Sequence, residues 1–163
     1  DSCLGAYIAQ AKKQSWYKNT LFILVADHGH RLPLDTYENW HPNRYRIPLV
    51  FFGEVLKPEV KGMVVNKYGG QTDIARTLFT QLELNASPYV WSKDLLNTGS
   101  KDFSFYDWDN GFGVATPSQT ISFDNVGKTI SYQKDATKTE ETKRLEKIGK
   151  AYLQEVYTSY LAF

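Results

Sequence analysis

The sequence predicts an α/β protein, and three observations predict it. Apolar residues at helical spacing (Leu4, Tyr7, Ile8, Ala11) lead into an unbroken apolar stretch at residues 21–26, the pattern of a helix feeding a buried strand. A second apolar stretch at 48–52 and a helical stripe near residue 74 repeat the alternation of strand and helix. Past residue 100 the period of the apolar positions drops to two, which predicts an antiparallel meander before a terminal helix.

The first helix ends at Lys12, Lys13 and Gln14, and residues 15–19 make a short connection into the strand that begins at Thr20. A run such as Leu21-Phe22-Ile23-Leu24-Val25-Ala26, with no polar alternation, is what a strand covered on both faces looks like, so a parallel or mixed sheet is expected. Residues 29–46 read as a loop, broken by Pro33, Asn39, Pro42 and Asn43. The strand at 48–52 stops at Gly53, and Met63-Val64-Val65 reads as a short third strand. Thr72 is placed to cap a helix whose stripe is Ile74, Ala75, Leu78, Phe79 and Leu82, with Asp73 in its first turn as a structural carboxylate favoured by the helix dipole. In the meander, Asn110-Gly111 predicts a two-residue type I′ hairpin with both turn residues at positive φ. Thr137 and Glu140 have the spacing of a capping box, and Leu145, Ile148, Tyr152 and Val156 mark a long terminal helix that packs across the meander.

A chain of 163 residues is long enough for one domain with a real core. Nineteen Lys and Arg against 18 Asp and Glu leave a net charge of +1, which gives no electrostatic case for a nucleic-acid partner. No apolar stretch approaches the roughly 20 residues of a membrane span. The aromatic share of 15% is high and has two readings, core filling or a sugar- or lipid-facing surface. Cys3 is the one cysteine, so no internal disulfide is possible, and its place among helical apolar residues suggests a small buried side chain.

The chemistry concentrates where the first strand ends. Asp27, His28, Gly29 and His30 follow the apolar run at once, and the crevice beyond the carboxyl edge of an α/β sheet is where ligands bind. A carboxylate beside an imidazole suits a divalent ion such as Zn or Mn, with Gly29 letting the chain turn sharply. The alternative is a turn after a strand with His28 merely hydrogen-bonded. His30 lies close enough in sequence to reach the same cleft. Arg31 and Arg46 suit an anionic oxygen pair or a surface ion pair equally well.

Three stretches together, Thr20 to Arg31 with its Asp-His-Gly-His, then His41 with Arg46-Ile47-Pro48-Leu49-Val50-Phe51-Phe52-Gly53, then Gln71-Thr72-Asp73-Ile74-Ala75-Arg76-Thr77-Leu78, resemble the C-terminal part of a sulfatase-type enzyme. The resemblance is greatest to the lipoteichoic-acid-synthase-like, or phosphoglycerol-transferase-like, branch of the alkaline phosphatase superfamily, and it covers about the first half of the chain. It implies part of an alkaline-phosphatase-like α/β/α sandwich in residues 1–100, followed by a small antiparallel meander and C-terminal helix in 101–163, all one domain of a larger catalytic unit.

The resemblance further implies a divalent metal (Mn, Zn, Mg or Ca) held by Asp27 and His28, with His30, Arg31 and His41 as substrate contacts. His41 has three readings: ligand of a second metal, contact to the transferred group, or a loop histidine hydrogen-bonded locally. The substrate class implied is a phosphate or sulfate ester, transferred or hydrolysed at the outer face of the cell envelope. The family's nucleophile has no match upstream of Asp27, and Cys3 does not sit in a Cys-x-Pro-x-Arg pattern. The chain is therefore expected to be a piece of a longer enzyme, inactive alone, whose missing N-terminal part is its partner and carries the membrane tether. The competing expectation is a non-catalytic glycan- or protein-binding module with a vestigial metal site.

Overall fold

The computed structural model describes residues 1–29 and 37–162. The chain has an α/β architecture and divides into two compact units, Asp1–Asp27 with Ile47–Val64, and His28–Arg46 with Val65–Phe163.

The first unit holds helix α1 (Ser2–Ala11) and strands β1 (Phe22–Val25) and β2 (Leu49–Phe52). The strands pair antiparallel, Phe22 opposite Phe52 and Val25 opposite Leu49, where a parallel or mixed sheet was expected. Phe22 is the hub: its ring stacks on Phe52 at 4.9 Å and meets Tyr17 at 5.5 Å, Trp16 at 6.4 Å and Tyr7 at 6.5 Å. That cover is local. Val25 is 42% and Val50 47% exposed, so β1 is not buried on both faces within this unit. An apolar run records the burial a strand is built for, and the residues of this unit supply only part of it. Cys3, expected to be buried, is exposed. The strand stop at Gly53 has a steric cause: φ is +146°, and a Cβ would stand 2.5 Å from the Thr20 carbonyl oxygen.

The second unit holds α2 (Asp73–Gln81), the four-stranded meander β3 (Ser104–Trp108), β4 (Gly111–Ala115), β5 (Thr120–Asp124) and β6 (Thr129–Gln133), and α3 (Thr139–Leu161). The strands pair in sequence order, each with the next. Alternation sends Phe105, Phe112, Val114, Ile121, Phe123 and Ile130 to one face, where Leu145 and Leu153 of α3 complete the core. The expected packing of the terminal helix on the meander is observed. Its inner positions are Thr142, Leu145 and Gly149, however, while Ile148 and Val156 stay partly exposed. Gly149 is the notch of this contact, since a Cβ there would lie 2.0 Å from Phe112 Cε2. Gln119 joins sheet and helix as a polar plug. Its amide nitrogen donates to the Asp135 carbonyl (2.7 Å) and Thr142 Oγ1 (3.0 Å), and its oxygen accepts from the Thr120 and Asp135 amides (both 3.0 Å).

Several local expectations fail for identifiable reasons. Residues 63–65 form no strand and leave Val64 largely exposed. In α2 the inward positions are Asp73 and Thr77, and Leu82 is exposed, because this helix docks through polar contacts. Thr72 makes no side-chain cap. The capping box is absent as well: Asp135 Oδ1 captures both the amide (3.0 Å) and hydroxyl (2.7 Å) of Thr137, and α3 starts two residues later.

The meander hairpin is also not of the expected type. Trp108 pairs with Gly111, so the two turn residues are Asp109 and Asn110, and neither they nor Gly111 adopt positive φ. Gly111 is required for space instead, because a Cβ would stand 2.3 Å from both Trp108 Cζ2 and the Phe123 carbonyl oxygen. Gly111→Val is accordingly expected to cost about 1–3 kcal/mol through overpacking. A melting curve superimposable on the parent's would contradict that steric account.

Candidate metal and anion site

Asp27 follows the end of β1 at a bend, its side chain exposed; it closes the first unit, and His28 opens the second. His28 Nδ1 lies 2.8 Å from the Gly29 carbonyl oxygen. A carbonyl only accepts, so Nδ1 carries the proton and the ring's lone pair resides on Nε2. This is one of the two tautomers in which a histidine ligates a metal, here through Nε2 with the Nδ1 proton held by a backbone carbonyl. The donor types and the tautomer thus fit a divalent ion held by Asp27 and His28. Among the described residues no three His, Cys, Asp or Glu side chains gather around one point. His30 and Arg31 lie outside the described residues.

The chain bends at Asp27 and His28, just before Gly29, and Gly29 itself does not adopt positive φ. A Cβ on it would stand 1.7 Å from the Arg44 carbonyl oxygen, so its role is to let two backbone segments meet. That second segment carries His41 and a short 3₁₀ turn, Pro42–Tyr45. His41 caps the turn, its Nδ1 accepting the Asn43 amide at 3.2 Å. With Nδ1 an acceptor, the proton sits on Nε2, and burial lowers the pKa below the ordinary imidazole value. In this form His41 is a neutral donor. It suits contact with an anionic oxygen better than metal ligation, which would need the lone pair already given to Asn43.

His41 sits among aromatics, stacked on Tyr37 at 4.3 Å and edge-on to Tyr132 at 5.1 Å. Asn39 ties the segment together by accepting Arg44's guanidinium on its side chain and the Tyr45 hydroxyl on its carbonyl, the latter at 2.6 Å. The partners holding this segment, Tyr106, Ser122 and Tyr132, did not stand out in the sequence. The readable signal was the alternation of Tyr106 and Trp108 on one strand with Gly111 and Gly113 on the next, rings set against missing side chains. Elsewhere in the second unit, an open hollow of about 690 Å³ between the start of α2, the 88–92 turn and the end of α3 has no carboxylate, amine, guanidinium or imidazole among its lining residues.

Comparison with known proteins gives two findings. A family model described as Sulfatase matches residues 1–84. The solved structure of a protein in the alkaline phosphatase superfamily from Vibrio parahaemolyticus superposes with a TM-score of 0.68 at 19% identity, covering 96% of this chain and 40% of that one. The similarity to that structure is one of fold, and the chain spans 40% of its length. No curated protein matches the sequence.

Proposed function

Because the chain belongs to the sulfatase family, on the match across residues 1–84, we propose that it is the C-terminal part of a metal-dependent enzyme acting on phosphate or sulfate esters. Within that family the reading assigns it to the lipoteichoic-acid-synthase-like, phosphoglycerol-transferring branch, working at the outer face of the cell envelope and tethered through residues upstream of Asp1. The observation that carries the proposal is the Asp27-His28 pair at the end of β1, with the His28 proton held on Nδ1 by the Gly29 carbonyl. Two further features support it. Strands β1 and β2 leave Val25 and Val50 half exposed, as they would if further strands and helices normally covered them. The fold match also leaves most of the solved relative without a counterpart here.

In this reading Asp27 and His28 would hold a divalent ion, which would supply Lewis-acid stabilisation of charge on the ester's transferred group. His41 donates from Nε2 to an oxygen of that group, and burial keeps it neutral so that it donates one proton and adds no charge. His30 and Arg31, next in sequence, complete the anion contacts. The upstream part supplies the nucleophile and the remaining ligands. The segment that carries His41 covers rings of the meander face, Tyr45 stacking on Tyr106 at 4.4 Å for example, which favours a scaffold over a glycan-binding module. Among the described residues no helix is long and apolar enough to cross a membrane.

The chain alone is expected to bind Mn and Zn weakly and to turn over neither chromogenic phosphodiesters nor sulfate esters, since a catalytic zinc site takes about three protein ligands. Calorimetry and a plate assay check both halves. Metal-dependent turnover by the 163 residues, abolished in Asp27→Ala, would overturn the reading, because the nucleophile would then lie within them.

A further inference from the structure

One row of residues crosses the meander from edge to edge on the face opposite α3. Tyr106 on β3 pairs with Gly113 on β4, Gly113 with Ser122 on β5, and Ser122 with Tyr132 on β6. Each member other than Gly113 engages the segment that carries His41. The Tyr45 ring stacks on Tyr106 at 4.4 Å, the Ser122 hydroxyl donates to the Trp40 carbonyl at 2.6 Å across 82 residues of sequence, and His41 meets Tyr132 at 5.1 Å. Gly113 is the space that makes the row continuous. A Cβ on it would stand 1.9 Å from Tyr106 Cζ, so only glycine lets the Tyr106 ring lie across β4 and bring its hydroxyl within 2.9 Å of Ser122.

The direction of these hydrogen bonds follows from proton counting. The single Ser122 proton goes to the Trp40 carbonyl, so the contact between the two hydroxyls must be donated by Tyr106. Burial pushes the Tyr106 pKa far up and keeps that proton in place. Tyr106 to Ser122 to Trp40 is therefore a relay of aligned hydrogen bonds, each polarising the next in a water-poor setting. Ser122 is fully buried, and loss of its proton would leave the Trp40 carbonyl without its donor.

We propose that the Tyr106–Gly113–Ser122–Tyr132 row is a mould that fixes residues 39–45 and thereby sets the orientation of His41, making Tyr106 and Ser122 positioning residues for the anion contact. The value of that orientation for turnover rests on the function proposed above; the moulding itself does not. A C-terminal meander with no group of its own in the chemistry would then still tune it through the shape of one loop.

The test reads His41 directly. Its ring protons lie over the Tyr37 ring and are displaced by that ring's current, so their NMR positions report whether the segment holds its shape. Ser122→Ala and Tyr106→Phe, made in the 163-residue chain, should each move the His41 resonances toward the free-imidazole positions. Phe123→Leu, on the same strand but pointing into the core, should lower the melting temperature without moving them. Unchanged His41 resonances in both hydroxyl variants overturn the proposal, and so does an equal movement in Phe123→Leu, which would mean general loosening. Should Ser122→Ala fail to fold, Tyr106→Phe carries the same comparison. In the enzyme joined to its upstream part, a raised KM at unchanged kcat in these variants supports the anion role of His41. Moved resonances with an unaltered KM would uphold the mould and count against that role alone.

Discussion

Phe112→Ala is expected to destabilise the chain by about 3–5 kcal/mol, the range for removing a fully buried aromatic ring. Phe112 has no exposed surface, stacks on Phe105 at 5.8 Å and Phe123 at 5.5 Å, and fills the notch that Gly149 opens in α3. The loss would be compounded by geometry. Gly149 has no side chain with which to fill the void, and the close approach of helix to sheet depends on the ring that occupies it. Urea unfolding followed by far-UV circular dichroism measures the change, with the denaturant midpoint falling and the slope retained. A loss below about 1 kcal/mol would show that the meander and α3 do not share the core described here, since even Ile→Val in a core typically costs that much.

Asp73→Ala is expected to cost a comparable amount, about 3–5 kcal/mol, because it strands a cation rather than opening a void. The Asp73 side chain is 5% exposed and that of Lys93 16%, with Nζ and Oδ2 2.6 Å apart. The same carboxylate accepts the Gly70 and Lys93 amides, both at 2.9 Å, so three donors lose their acceptor together. Lys93 is further committed to the Phe103 carbonyl at 2.8 Å and lies over the Phe103 ring at 4.7 Å, which prevents an easy retreat to solvent. Adding Lys93→Met to Asp73→Ala should recover part of the loss, since the uncompensated charge is then gone. Additive losses in the double variant would mean that the pair is not coupled as the geometry requires.

What the sequence made legible was the chemistry of periodicity. Phe105, Phe112, Val114, Ile121 and Phe123 lie on one face because a strand alternates, and α3 covers them because its own stripe lies at helical spacing. The antiparallel pairing of β1 with β2 was not legible, since an apolar run states a wish for burial without naming the neighbour. Turn and cap motifs misled wherever a side chain found a better partner: Thr137 is taken by Asp135, and Gly111 answers to the Trp108 ring rather than to a backbone torsion. At the candidate site, the residue types of Asp27 and His28 were readable from their place after the strand. The tautomer of His28, the neutrality of His41 and the hydroxyl relay beneath it were not. Those depend on carbonyls and burial that only the folded chain brings together.

The central claim is that this chain holds two ligands of a metal site that the rest of a sulfatase-family domain completes. The most direct measurement is turnover of a chromogenic phosphodiester or sulfate ester by the chain joined to the upstream part proposed above, with and without Mn, comparing the parent with Asp27→Ala. The account predicts metal-dependent turnover that falls about 100-fold or more in Asp27→Ala, since residues merely supporting a metal ligand already cost 10–100-fold. Turnover that is indifferent to metal, or equal in Asp27→Ala and the parent, would contradict it.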